Sequence, residues 1–149
     1  MTTSEINVLK RNGRGKEPLN IDKIHSMVGY ATQDITGVSA SEVEIKSHIQ
    51  FYNGIKTSDI QETLIKSAAD LISEETPNYQ FVAGRLINYH LRKEVYGEYE
   101  PWPLLDIVKK NVDKGFYDRG LLDAYSDEEW AELERAIDHH KDEHFTYVA

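Results

Sequence analysis

Apolar residues recur at helical spacing in four consecutive segments of this 149-residue chain, and this periodicity constrains the fold more than any other feature. In the third segment, for example, Ile60, Leu64 and Ala68 fall on one helix face. Four amphipathic helices in succession are typical of a small helical bundle. The pattern predicts these helices over about 23–33, 41–51, 57–73 and 77–96.

Short polar residues stand where each of these helices would begin. Ser, Thr, Asn and Asp accept hydrogen bonds from the first backbone N–H groups of a helix, so they favour the N-cap position. A glutamate three residues after a serine completes a capping box. The predicted caps are Asn20 or Asp22, the box Ser41-Glu-Val-Glu44, Thr57 or Ser58, and Thr76 before Pro77. A further box, Ser126-Asp-Glu-Glu129, would begin a short helix in the C-terminal segment.

A basic segment precedes the first helix. From Lys10 to Lys23, five of fourteen residues are Lys or Arg, although the chain has a formal net charge of -9. Two glycines lie between short apolar runs, which predicts a β-hairpin with strands over about 6–10 and 16–21. A cationic hairpin suits a small anion such as a nucleotide phosphate, whereas the acidic remainder would repel nucleic acid. A solvated, charged turn explains the pattern equally well.

The charge is distributed unevenly along the chain. Residues 1–96 carry 11 basic and 12 acidic side chains, and residues 97–149 carry 6 basic and 14 acidic ones. A glycine and two prolines within 97–103 would stop an incoming helix. We therefore expect one domain over 1–96 and an acidic segment with short helices over 97–149. The predicted fold class is α+β, mostly helical: a four-helix bundle capped by a small β-hairpin or sheet.

Several classes of protein are excluded by composition. The chain contains no cysteine, which removes disulfides, thiolate metal sites, iron–sulfur clusters and cysteine nucleophiles. No apolar run approaches the roughly 20 residues that span a bilayer. The N-terminus lacks a basic region followed by an apolar one, so we expect no secretory signal and a cytoplasmic location.

One short motif resembles a metal site. His140-Lys-Asp-Glu-His144 matches the H-x-x-E-H pattern of some zinc proteases, and its two histidines would share a face of an α-helix. Only five residues follow His144, so no downstream carboxylate could complete the ligand set. We favour an acidic, solvated helix end and expect no protein metal ligands. The chain has neither a P-loop nor a G-x-G-x-x-G motif.

Longer motifs extend from the basic hairpin to residue 101. They are Val8-Leu-Lys-Arg11, Asn20-Ile-Asp-Lys-Ile-His25, the segment from Ser47 to Ile60, Ile65 to Ser73, Pro77 to Ala83, His90-Leu-Arg-Lys93 and Tyr96 to Pro101. Together they resemble the N-terminal ATP cone of a class I ribonucleotide reductase large (alpha) subunit. Less densely, the tail from Lys114 to Ala149 resembles the helical segment that joins this cone to the catalytic barrel.

The resemblance implies an allosteric switch, in which ATP keeps the reductase active and dATP shuts it off. Mg²⁺ would accompany the triphosphate. Lysine and arginine would supply charge to the phosphates, while Glu17 and Asn20 would meet the base and the sugar. By position, the nucleotide-binding residues would be Val8, Lys10, Arg11, Glu17, Asn20, Lys23, Ile24, Thr57, Gln61 and Lys93.

The sequence departs from the family at two places in this site. Gln61 stands where the best-known relatives have histidine; glutamine can hydrogen-bond but cannot become charged. The hairpin loop is one residue longer, which would shift Arg14 and Lys16 relative to the phosphates. ATP and dATP differ by one hydroxyl, so discrimination between them rests on one or two hydrogen bonds or on the shape of the site.

The missing cysteines bear on activity, because reductases of this family need a cysteine thiyl radical and a redox-active cysteine pair. We therefore expect no catalysis by this chain, as a fragment of an alpha subunit or a short chain encoded alone. Expected partners are the remainder of the alpha subunit, the small (beta) subunit and other cones, with neither nucleic acid nor membrane. The alternative is a protein-interaction module that docks on reductase subunits without binding nucleotide.

Overall fold

The computed structural model describes residues 5–148, which divide into two compact units. One unit comprises 5–91 together with 142–148, and the other comprises Arg92–Lys141. Seven α-helices, two short 3-10 helices and a three-stranded sheet make up the described elements. This confirms the predicted α+β, mostly helical fold class. The functional division expected between residues 96 and 97 stays a prediction.

Four helices begin in the first unit, as the periodicity predicts. They are α1 (Ile21–Thr32), α2 (Ala40–His48), α3 (Thr57–Asp70) and α4 (Tyr79–Tyr96), the last of which continues beyond residue 91. Their buried faces meet in one apolar cluster around Val28, Val43, Leu64 and Val82, each of which is fully buried. Burial of such side chains contributes about 1.5–3 kcal/mol each, so this cluster is the main source of stability in the unit.

A three-stranded sheet lies against these helices. Strands β1 (Asn7–Leu9) and β2 (Lys16–Pro18) form the predicted hairpin, with Val8 opposite Glu17. A third strand, β3 (Ile55–Lys56), pairs with β1 in parallel on the other edge, with Val8 opposite Ile55. The sequence prediction missed β3, because it has only two residues and directly follows a turn.

The hairpin loop is closed by a short 3-10 turn. This turn spans Arg11–Gly13, and the Lys10 N–H donates to the Gly15 carbonyl oxygen at 3.0 Å. Gly13 and Gly15 have φ values of 67° and 92°, a region that side chains with a Cβ rarely adopt. The two glycines therefore let the loop reverse directly after β1, which keeps Lys10 and Arg11 beside the sheet.

Some helix caps differ from those predicted. Asn20 caps α1 as expected, and the Ser126–Glu129 box is complete. The cap of α2 is Ser39 rather than Ser41, because Ser39 with Glu42 repeats the same spacing two residues earlier. Two further predictions were wrong. Lys56 precedes α3 in place of Thr57 or Ser58, and α4 begins at Tyr79, after the Thr76-Pro77 pair.

Within the first unit, residues 142–148 form a C-terminal strap that contacts α1 and α4. The Tyr147 N–H donates to the Gln80 carbonyl oxygen of α4 at 2.9 Å, and the Tyr30 hydroxyl donates to Glu143 at 3.0 Å. At Gly84 the strap comes so close that an added Cβ would overlap the Phe145 carbonyl oxygen. The strap therefore depends on a residue without a side chain at this point of α4.

The second unit contains α5 (Leu104–Asp113), α6 (Gly120–Ala124) and α7 (Asp127–Ala136) around a small core of Val108, Val112 and Trp130. Helix α6 was not predicted. Residues His139–His144 form a 3-10 turn rather than an α-helix. With three residues per turn, the two histidines of the H-x-x-E-H motif do not share a face as they would in an α-helix. No helix within residues 5–148 is long and apolar enough to cross a membrane.

Gly84→Ala should displace the strap. We expect faster hydrogen exchange at the Tyr147 N–H and a free energy of unfolding lower by about 1–3 kcal/mol, the usual cost of overpacking. Gly29→Ala is the matched control: Gly29 lies inside α1, and its added Cβ would meet nothing within 4 Å. The control should stabilise the chain by about 0.5–1 kcal/mol. Unchanged exchange at Tyr147 in Gly84→Ala would contradict the close approach.

Candidate nucleotide-binding site

An ion pair joins the two strands of the hairpin. Lys10 follows β1, Glu17 is the middle residue of β2, and the Lys10 Nζ lies 2.5 Å from the Glu17 Oε1. The hydrogen bond from Lys10 is the main cause that lowers the pKa of Glu17 below its ordinary value of 4.5. Partial burial raises this pKa, while the charges of Lys10 and Lys23 lower it further. Glu17 is therefore held as a carboxylate between two lysines.

Arg11, the residue after Lys10, extends from the hairpin toward the helices. Its Nη2 donates to the Gln61 Oε1 on α3 at 2.7 Å and lies 3.2 Å from the His90 Nδ1 on α4. The same His90 Nδ1 lies 2.7 Å from the Gln61 Oε1. We call Arg11, Gln61 and His90 the anchor triad. It connects the hairpin to two helices of the bundle through polar side chains, of which Gln61 is only 7% exposed.

The first turn of α3 lies at the end of β1. The Thr57 hydroxyl donates to the Leu9 carbonyl oxygen at 3.2 Å, and Leu9 pairs with Lys56 in the sheet. Lys56 occupies the N-cap position, and a lysine side chain cannot accept a hydrogen bond. The first backbone N–H groups of α3 therefore have no acceptor from an N-cap side chain. These groups lie at the N-terminal end of the helix, which is the end that stabilises anions.

An open groove begins beside Glu17. Residues 17–22 line this groove, which has a volume of about 520 Å³. It includes Asn20, whose side-chain oxygen accepts from the Lys23 N–H as the cap of α1. The two residues expected to meet base and sugar thus face one depression, next to the lysine-flanked carboxylate.

The remaining predicted residues are placed less directly. Val8 and Ile24 are buried in the apolar cluster, at 6% and 5% exposure. Arg14 and Lys16 are exposed on the hairpin. Lys93 is partly buried on α4 and belongs to the second compact unit, so its role at the phosphates stays a prediction.

His90 is the member of the anchor triad that the sequence prediction missed. It lies in the quoted motif His90-Leu-Arg-Lys93, one helical turn before Lys93, and that spacing was the available signal. Arg92, in the same motif, is buried at 7% exposure within the second unit. There it donates to the carbonyl oxygens of Tyr99 and His139, and its guanidinium lies over the Tyr99 ring.

Comparison with known proteins identifies the class to which this fold and site belong. Residues 6–94 match the family of the ATP cone domain, so the chain belongs to this family. The resemblance inferred from the motifs is confirmed.

Alpha subunits of reductases share most of the chain. It is 51% identical over 142 residues to the ribonucleoside-diphosphate reductase 1 subunit alpha of Escherichia coli (strain K12), covering 95% of this chain and 18% of that protein. It is 51% identical over 142 residues to the subunit alpha of Haemophilus influenzae, covering 95% and 19%. The subunit alpha of Enterobacteria phage T4 is 41% identical over 144 residues, covering 95% and 19%. The chain therefore spans less than a fifth of the length of these relatives.

Lys10→Met should raise the pKa of Glu17 toward 4.5, because its main stabilising partner is removed. A lowered pKa in the folded state means that the ion pair stabilises the fold above pH 4.5 and that this contribution is lost as the pH falls through the lowered value. A carbon-detected NMR titration of the Glu17 carboxyl group measures the shift. Lys23→Met is the control and should raise this pKa less, since Lys23 contributes only its charge. Equal shifts in both variants would contradict the assignment.

Proposed function

We propose that this chain is an allosteric nucleotide-binding domain, with ATP as activator and dATP as inhibitor of a ribonucleoside-diphosphate reductase. The observation that carries the proposal is the convergence of Lys10, Arg11 and the first turn of α3 at the end of β1, within a chain of the ATP cone family. Cations and backbone N–H groups at one place are what a triphosphate requires.

The proposed site has one part that would bind the phosphates and another that would bind the base and sugar. Lys10, Arg11 and Thr57 would meet the phosphates, and Lys93 would add a further cation from α4. Glu17 and Asn20 would meet the base and sugar in the groove, with Lys23 just beyond it. Val8 and Ile24, which are buried in the apolar cluster, would hold the neighbouring site residues in position by packing.

To bind a phosphate, Lys10 would have to break its ion pair with Glu17 or contact the carboxylate and the phosphate together. A carboxylate next to a triphosphate is unfavourable unless cations separate them, and Lys10 with Lys23 can do so. The Lys10–Glu17 pair would thus be replaced by lysine–phosphate contacts while Glu17 turns to the groove. The discrimination between ATP and dATP would rest on one or two hydrogen bonds or on the shape of the site, with Gln61 in the place of a histidine.

Mg²⁺ would be held mainly by the nucleotide. Within the described part of the chain, no three His, Asp or Glu side chains are grouped so that they could hold a metal ion. Magnesium commonly keeps several waters and binds through substrate phosphates. A magnesium–triphosphate complex therefore fits a site whose proposed residues offer lysines and an arginine and only one carboxylate, that of Glu17.

The reductase context extends the proposal to partners. The domain would act on the catalytic part of an alpha subunit, which holds the radical and redox cysteines that this chain lacks. It would also contact the small (beta) subunit or other cones when dATP is bound. A cytoplasmic location belongs to the same proposal.

A second candidate function is docking on reductase subunits without nucleotide. It is favoured by three large apolar residues at the C-terminal end of α2: Ile45, Ile49 and Tyr52 are 66%, 80% and 57% exposed. Sedimentation with a separately purified beta subunit distinguishes the two functions. Binding that is indifferent to dATP, in a chain that binds no nucleotide, would favour docking alone.

Lys10→Ala should weaken dATP binding about tenfold or more, because a charge-assisted hydrogen bond contributes roughly 1.5–3 kcal/mol. Isothermal titration calorimetry of the purified chain with dATP and Mg²⁺ measures the affinity. Lys66→Ala is the matched control: it removes the same charge from an exposed position on α3, about 13 Å along the axis from Thr57. Its affinity should stay within about twofold of wild type, as expected for a distant surface charge.

Lys93→Ala tests the cation proposed from α4. It should also weaken dATP binding, and thermal unfolding of the same variant checks that the fold is intact. Unchanged dATP affinity in both Lys10→Ala and Lys93→Ala would contradict the site assignment. Absence of saturable binding by the wild-type chain would contradict the proposed function itself.

A further inference from the structure

The distances within the anchor triad determine which of its atoms donate hydrogen bonds and which accept them. A guanidinium only donates, so the Gln61 atom 2.7 Å from Arg11 must be the amide oxygen. That oxygen cannot donate, so the His90 Nδ1, also 2.7 Å away, must carry a proton. Gln61 Oε1 therefore accepts from both neighbours. The 3.2 Å approach of Arg11 to the His90 Nδ1 brings together two donors that share one acceptor.

With these donors and acceptors, His90 orients the Gln61 amide that binds Arg11, and it does not compete with Gln61 as an acceptor for Arg11. The Nδ1–H of His90 holds the Gln61 amide with its oxygen toward the hairpin, and that oxygen holds the Arg11 guanidinium. A flipped amide would place its N–H₂ group 2.7 Å from the Arg11 Nη2, so that two donors would face each other. Fixing a long side chain before binding lowers the ordering cost of ligand binding.

We infer that His90 is a positioning residue for nucleotide binding, which acts through Gln61 to present Arg11 to the phosphates. This inference rests on the proposed function. It gives Gln61 a specific part: its amide can both accept from Arg11 and be oriented by a histidine on a different helix. The effector site would thus be preorganised from α4, without contact between His90 and the nucleotide.

A pair of matched substitutions at His90 tests this inference. In asparagine the side-chain nitrogen is bonded to Cγ, as Nδ1 is in histidine, so His90→Asn can keep the hydrogen bond to Gln61. In glutamine the nitrogen is one bond further out, so His90→Gln loses the alignment. We expect dATP affinity within about twofold of wild type for His90→Asn and a loss of about fivefold for His90→Gln, the value of one hydrogen bond.

A double-mutant cycle separates positioning from a general structural role. If His90 acts through Gln61, His90→Gln should cause no further loss of dATP affinity in a Gln61→Leu background. His140→Leu, an exposed histidine of the second unit, controls for the loss of an imidazole. Nitrogen NMR shifts of the nucleotide-free chain give an independent measure, since neutral His90 should carry its proton on Nδ1.

The outcomes are distinct. Wild-type binding with unchanged affinity in His90→Gln, equal losses in the asparagine and glutamine variants, additive losses in the cycle, or a proton on Nε2 would each overturn the role of His90 alone. Failure of the wild-type chain to bind dATP would overturn the proposed function and this inference with it. Retained affinity in His90→Asn, loss in His90→Gln and no further loss beside Gln61→Leu would together establish it.

Discussion

The pairing of β1 with β3 is the interaction on which the rest of the candidate site depends. It joins Val8 and Leu9 to Ile55 and Lys56 in parallel, and the Gly54 N–H donates to the Asn7 carbonyl oxygen beside it at 2.8 Å. A two-stranded hairpin alone is marginally stable in water. The third strand holds the hairpin against the bundle. Because β3 runs directly into α3, it also places Lys10 and Arg11 beside the first turn of that helix.

Sequence reasoning succeeded where the signal is local. Four helices follow from apolar spacing, and the hairpin follows from two short runs around glycines. It failed where two local signals compete or where the partner is distant. Ser39 and Ser41 both precede a glutamate by three residues, so spacing could not choose between them. The two-residue β3 strand carries no periodicity, and its partner lies 47 residues earlier along the chain.

The candidate site divides in the same way. The positions of Lys10, Arg11 and Gln61 follow from the resemblance to the cone family, and the structure brings Arg11 and Gln61 into direct contact. The spacing of His90 before Lys93 was a signal, but its contact could not be assigned from its own segment, because that contact is with an amide oxygen on another helix. Such an assignment needs interatomic distances, which a linear pattern does not contain.

The glycine at position 84 also decides where this chain can be cut. The match to the cone family ends at residue 94, yet the chain passes over α4 again at Phe145. A fragment that stopped after the matched residues would leave the backbone at Gly84 bare and the Gln80 carbonyl oxygen without the Tyr147 N–H. The segment that matches the family and the compact unit of the structure therefore have different boundaries.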